Sequence, residues 1–397
     1  MTLFERREDV GGRVRTRRVD GFTCDRGFQV LFEAYPAVRR ELDLDALSLR
    51  SFAPGGVICR PGKRSTLSDP LRDPGALLPS ALSREVTLAD KLRTLRLRRR
   101  LTSGDWPTFG TPDQSIRAYL RDRGFSEAFV ENFAAPLYGG ITLDRSLSTS
   151  ANVFEYTFRA MSLGSIAVPA EGMAAIPAQL AERAREAGVE IRTGVAVDDL
   201  DTGGHRLALD TDSGTREFDA VVVATDPPTA KDLTGVESIP TEGAGVVTQY
   251  YRLPGPELDA GTRIMLNAAG EAPNTVAQLS AVASEYGAGS DDALLAASFV
   301  DDGAQDRSAE ALAAQARDAL SSWYPERDVS GLELLATDRI PFAQFAQQPG
   351  THARLPDVDD PAGPVFLAGD YTRWSSIQGA LESGARAADA VDGGFDA

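Results

Sequence analysis

Two short stretches at opposite ends of the chain carry complementary parts of one nucleotide-binding geometry, and any fold must bring them together. The chain opens with Thr2-Leu3-Phe4-Glu5, a β-prone run ending in a carboxylate, and continues into Gly11-Gly12-Arg13. A carboxylate at a strand end accepts hydrogen bonds from ribose hydroxyls. A Gly-Gly-Arg turn lets backbone approach a phosphate and adds a fixed charge. Taken alone, such a turn fits any tight surface bend. Residues 365–388, VFLAGDYTRWSSIQGALESGARAA, supply the counterpart. An apolar strand runs into Gly369-Asp370, and Gly379-Ala380 opens a helix rich in small residues. A helix start offers N–H groups and positive potential, which suits a flavin pyrimidine edge that gathers negative charge on reduction. Asp370 is placed to hold ribityl or ribose hydroxyls. Each piece has an ordinary structural reading, but the combination is far more specific.

Composition narrows the chemistry. The 397 residues allow two domains, and 42% hydrophobic content supports a substantial core. No apolar run reaches the length of a membrane span, which points to the cytoplasm. Cys24 and Cys59 form neither a metal-type pair nor a redox motif, and the only histidines are His205 and His352. No metal is expected, so the chemistry belongs to an organic cofactor. Net charge is −17, and Lys63, Lys91 and Lys231 are the only lysines. Acidity with so little lysine is the composition of proteins adapted to high salt, although a GC-rich genome also replaces lysine by arginine. Neither origin favours a nucleic-acid partner.

Leu88, Leu92 and Leu95 recur at helical spacing within residues 84–101, where Lys91, Arg93, Arg96, Arg98, Arg99 and Arg100 cluster. The cluster reads first as a solvated helix paired with carboxylates and second as a peripheral surface for anionic lipid or a partner. Helices are also predicted over 112–123, 173–187 and 308–322, the last capped by Ser308. A hairpin is predicted around Ser213-Gly214, strands over 245–252 and 294–300, and a frayed tail after Ala388.

The stretches TLFERREDVGGRVRT, DGFTCDRGFQVLF, VPAEGMAAIPAQLA, VAVDDL, VVVATD and GDYTRWSSIQGALESGARAA occur in an order that resembles the FAD-dependent amine oxidases, protoporphyrinogen oxidases and plant-type carotenoid desaturases. The resemblance covers nearly the whole chain and implies an α/β architecture. A discontinuous glutathione-reductase-like FAD domain (1–58, 164–238 and 350–394) would join a mixed-sheet and helical substrate domain (59–163 and 239–349). By this resemblance Glu5 binds the adenosine ribose, and Gly11, Gly12 and Arg13 line the phosphates. Val195 pairs with adenine through its backbone. Gly27, Gln29 and Val30 border the flavin. Gly369 and Asp370 hold ribityl or phosphate groups, and Gln378, Gly379 and Ala380 lie at the pyrimidine edge. In the family a first strand, glycine-rich turn and helix precede the segment that opens this chain. The expectation is therefore that a unit of about 30 residues is lacking upstream, and that FAD binding is weak without it.

The expected reaction is oxidation of a small hydrophobic organic substrate by hydride transfer to flavin N5, which needs no dedicated acid or base. Catalytic residues are therefore left unassigned. Many amine oxidases of this family place a lysine near N5; no lysine here falls in a flavin-facing segment, which lowers an amine oxidase relative to a desaturase, with an amine or protoporphyrinogen-type oxidase as the alternative. Tyr138, Tyr251, Phe342 and Trp374 are candidate substrate contacts, as aromatic rings sandwich planar substrates; each also reads as a core aromatic. A flavin-free binding protein of the same fold, like the Rab GDP-dissociation inhibitors, is the alternative of another class.

Overall fold

A computed structural model describes residues 1–69, 72, 73, 75, 80, 83, 85–270, 272–289 and 291–395. A seven-stranded mixed sheet dominates it. Its order is Glu333–Phe345, Gly243–Leu253, Ala293–Phe299, Thr275–Gln278, Ile264–Asn267, Gly56–Arg60 and Lys63–Leu67. Neighbours are antiparallel except Ile264–Asn267 against Gly56–Arg60. The inner strands Ile264–Asn267, Thr275–Gln278 and Ala293–Phe299 are buried along their whole length on both faces. One face packs on helix Ala309–Trp323 through Leu312, Ala316, Leu320 and Trp323. The other packs on Phe22, Leu31, Tyr35 and Val38, which come from the first forty residues.

The strands outside this sheet form smaller pieces. Strand Thr2–Glu5 runs parallel to Glu190–Thr193, and Val221–Val223 runs parallel to Val365–Leu367. A three-stranded antiparallel layer, Val197–Asp201, Leu207–Thr211 and Gly214–Phe218, contains the predicted hairpin. Phe4, Leu207, Val223, Val365 and Leu367 share one apolar cluster.

A third cluster is helical. Leu88–Thr102, Ile116–Asp122 and Ala151–Leu163 pack around Leu97, Leu101, Leu120 and Phe154. Their starts follow local chemistry. Thr87 and Asp90 form a reciprocal capping box, and Ser115 accepts from the Ala118 N–H. Gly124, at φ +76°, ends the second helix in the left-handed region. Helix Ala309–Trp323 is capped by Ser308 as expected. Two sequence expectations shift. The final helix starts at Ile377, so Gly379 and Ala380 lie in its first turn, and it continues to Phe395 instead of fraying after Ala388. Ala387, Ala390 and Val391 pack against Val358, Phe366 and Ala368, and that burial holds the last turns.

Candidate FAD site and apolar cavity

The two parallel strand pairs put the end-of-chain motifs within reach of each other. Glu5 ends its strand, where its carboxylate accepts the Arg7 N–H at 2.9 Å. Val195, just beyond the neighbouring strand, donates its N–H to the Glu5 carbonyl at 3.0 Å. The carboxylate and the backbone expected at the adenosine are therefore adjacent. Gly11 and Gly12 have φ of +121° and +57°. A Cβ on Gly11 would lie 2.4 Å from the Val14 carbonyl, whereas one on Gly12 would meet nothing within 4 Å. The turn is tight beneath and open above, as close approach of a phosphate requires.

Arg13 spans the gap between the ends. Its guanidinium donates to the Ala343 carbonyl at 2.9 Å and to Asp370 at 2.7 Å. The other Asp370 oxygen accepts from the Ser375 hydroxyl at 2.8 Å. Gln29 donates its amide to the Arg13 carbonyl at 3.1 Å, and its own Oε1 is buried without a partner among the described residues. Arg13, Gln29 and Asp370, placed in one site by sequence, are thus one network. Around it, burial and the neighbouring Arg26 and Arg7 lower the pKa of Arg15. Such crowding of guanidinium groups fits a diphosphate.

The Gly27–Val30 segment, expected at the flavin edge, is clamped by the large sheet. Gly27, at φ +83°, has its carbonyl held by the Tyr250 hydroxyl at 3.3 Å, and the Phe28 N–H donates to Thr248 at the same distance. Val30 packs beside this segment on the core that contains Tyr250. Gln378 points elsewhere: its side chain accepts the Ala37 N–H at 2.8 Å and fastens the last helix to the short helix Pro36–Glu41. Gly379 is required sterically, because a Cβ there would lie 2.1 Å from the Trp374 carbonyl oxygen. A Cβ on Gly369 would strike the Tyr371 ring. An orphaned acceptor, an open glycine turn and clustered guanidinium groups all fit FAD.

A cavity of about 380 Å³ lies between the helical cluster and the large sheet. Phe52, Leu67, Phe129, Phe133, Leu137, Tyr138, Phe154, Ile166 and Ile264 give it an apolar lining. Part of the wall is a π-helical turn, Val130–Ala134, a rare element enriched at functional sites. Phe52 packs edge-on against Phe28, with ring centroids 6.1 Å apart. One ring therefore separates the cavity from the Gly27–Val30 segment.

The four aromatic candidates part company here. Tyr138 lines the cavity. Trp374 is buried outside it, among Tyr35, Phe109 and Tyr156 at 5.0–5.8 Å, with its indole N–H unpartnered among the described residues. Tyr251 and Phe342 do not reach the cavity lining. Strand alternation turns Tyr251 into the opposite core, where it donates to Gln249, and puts Tyr250 behind Gly27 instead. Phe342 joins the cluster that holds the nucleotide strands. Sequence reading also passed over Phe28, Phe52 and the Phe125, Phe129, Phe133 series, although the four-residue spacing of that series was a visible helical signal.

The remaining polar groups are structural. Burial pushes both thiols up to about 12, so Cys24 and Cys59 are inert packing groups. Burial lowers His352 to about 4; it rests on Phe109 and bonds Gln347. No group of ligands that could hold a metal occurs among the described residues.

Comparison with known proteins decides the family: the sequence pattern of the flavin-containing amine oxidoreductases matches residues 1–392. The chain belongs to this family. FAD is accordingly its cofactor, and it is an FAD-dependent oxidoreductase. Its fold is that of an oxidoreductase from Methanosarcina mazei (TM-score 0.74, 15% identity, 98% of this chain and 94% of the other). It is equally similar to a protein from Exiguobacterium sp. 255-15 assigned as a protoporphyrinogen oxidase (0.72, 17%, 98% and 92%). Cyclohexylamine oxidase from Brevibacterium oxydans shares the fold too (0.67, 15%, 99% and 93%). No curated protein matches the sequence.

Proposed function

We propose that this oxidoreductase dehydrogenates an apolar organic molecule at carbon, in the manner of a desaturase. The observation that carries the reading is the cavity lining. Among the described residues that line it the only carboxylate is Asp69, which is ion-paired with Arg98 at 3.3 Å. An ammonium group would find aromatic and aliphatic walls and no free counter-charge, and its desolvation would go uncompensated. An apolar substrate gains by the same burial.

When bound, FAD would supply the acceptor for a hydride, and the hydrogen of the adjacent carbon would leave as a proton released to solvent. The chain's own work is positioning and exclusion of water. Arg13, Gln29 and Asp370 would hold the cofactor, and the clamped Gly27-Phe28 segment would border its ring. Phe52, Phe133, Leu137 and Tyr138 would shape the substrate's bed. No lysine lies in the Gly27–Val30 segment: Lys63 pairs with Glu85 and Lys231 with Glu237, and Lys91, which lines the cavity from the basic helix, donates to the Ser83 carbonyl. This supports the desaturase reading over amine oxidation.

The test is anaerobic reduction. Protein loaded with FAD is mixed with polyenes and other apolar cyclic or chain molecules, and in parallel with mono- and diamines. Bleaching of the flavin's visible absorbance by an apolar compound alone is the expected result. Bleaching by amines with no response to the apolar set would overturn the proposal.

A further inference from the structure

The leucine stripe of the basic helix points the wrong way for a core. In helix Leu88–Thr102 the inward residues are Leu97 and Leu101, while Leu88, Leu92 and Leu95 are 72%, 50% and 40% exposed. Leu163, at the end of helix Ala151–Leu163, is 46% exposed. Its neighbour Ser162 accepts from Arg98 of the basic helix. These four are most of the large hydrophobic side chains exposed among the described residues. Isolated surface leucines need no explanation, but four grouped on one face do.

Charge on the same face is unevenly spent. Arg93, Arg98 and Arg100 pair with Asp90, Asp69 and Glu155. Arg96 and Arg99 are exposed and have no carboxylate partner among the described residues. Positions 88, 92, 95 and 99 lie on one helical stripe, with 96 beside it. Exposed leucines flanked by uncompensated guanidinium groups, on a chain of net charge −17, form a local surface of opposite sign to the rest of the molecule. Leu88, Lys91, Leu95 and Arg98 of this helix also line the apolar cavity. The cavity therefore meets solvent beside this stripe.

We propose that this face docks on an anionic lipid bilayer, with Leu88, Leu92, Leu95 and Leu163 in the acyl boundary and Arg96 and Arg99 at the headgroups. The charge complementarity selects anionic lipid, and the leucines supply the insertion that a purely electrostatic patch lacks. The bound cavity then opens toward the bilayer, from which an apolar substrate can move without crossing water. That last consequence rests on the proposed function; the docking does not.

The test needs no turnover. Full-length protein, with FAD added, is floated with vesicles of phosphatidylcholine alone and with about one third phosphatidylglycerol, at low and high salt. A single label is also placed by Leu92→Cys, since both native thiols are buried. Expected are co-flotation with the anionic vesicles and a blue shift of a polarity-sensitive dye at position 92. Binding should weaken about tenfold or more on Arg96→Gln/Arg99→Gln. It should be lost on Leu88→Ser/Leu92→Ser/Leu95→Ser, with thermal unfolding unchanged. No flotation with anionic vesicles at low salt would overturn the proposal. So would equal binding by the serine variant, or self-association that the serine substitutions abolish without any vesicle binding. Success here alongside failure of the apolar substrates would leave the docking standing and remove only the proposed reaction.

Discussion

The two halves of the molecule solve opposite problems. One half is a continuous seven-stranded sheet with apolar cores on both faces and an apolar-lined cavity at its side. The other half, which carries the candidate FAD site, is assembled from short parallel pairs, held by ion pairs and glycine contacts between residues hundreds of positions apart. Hydrophobic area is tolerant of small changes, whereas a network of close polar contacts and Cβ-free approaches is not. A nucleotide demands the second kind of construction; an apolar substrate demands the first.

The largest predicted effect tests the intolerant half. Gly379→Val places side-chain atoms against the Trp374 carbonyl, and should cost about 3–4 kcal/mol and abolish flavin retention. Denaturant unfolding and the flavin content of purified protein measure both, and unchanged values would mean the turn is not the rigid cradle described. Arg13→Ala comes next. It strands the buried Asp370 carboxylate, and we expect a loss of about 2 kcal/mol, with weaker FAD binding by titration. Asp370→Asn, which keeps an acceptor for Arg13, should lose less.

His352 sharpens the comparison at the seam, where it rests on Phe109 beside the Trp374 rings. Its folded pKa, about 4, lies below the unfolded value. The unfolded chain therefore binds the extra proton first as pH falls. The neutral ring's contribution is fully present above about 6.5 and is lost progressively down to about 4. Over that window His352→Gln should flatten the pH dependence of stability by about 2 kcal/mol relative to the parent chain, allowing for partial exposure of the ring. Chemical unfolding at a series of pH values checks the sign. The smallest effect belongs to the tolerant half: Tyr138→Phe removes only a 3.5 Å hydroxyl contact with Thr157 and should cost under about 1 kcal/mol. A large loss there would show that the cavity wall depends on polar order after all.

The same contrast explains what could be read from the sequence. The local geometry of the candidate cofactor residues was legible because each carries its reason locally. Glu5 ends a strand, Gly11 and Gly12 need positive φ, and Asp370 follows an apolar strand into a turn. Their meeting through Arg13 follows from the architecture they imply. Gln378 was legible as a position but not as a role, since its partner, the Ala37 N–H, is 341 residues away. The cavity was mostly illegible. Tyr250 and Tyr251 are neighbours of the same type, and nothing in GVVTQYYR says which face of the strand the flavin-edge segment will cover. The leucines of residues 84–101 likewise announced a helix, while their periodicity could not show that the core would take Leu97 and Leu101 instead.

The bond between Arg13 and Asp370 also has a temporal side. A ribosome delivers the second partner 357 residues after the first. The strand Val221–Val223 waits in the same way for Val365–Leu367. Until then the guanidinium cluster and the edges of the short parallel pairs stay open, the kind of surface that chaperones hold and proteases cut. An interrupted translation product would carry a finished sheet and an unfinished nucleotide site, and would be recognisable to the cell by that asymmetry.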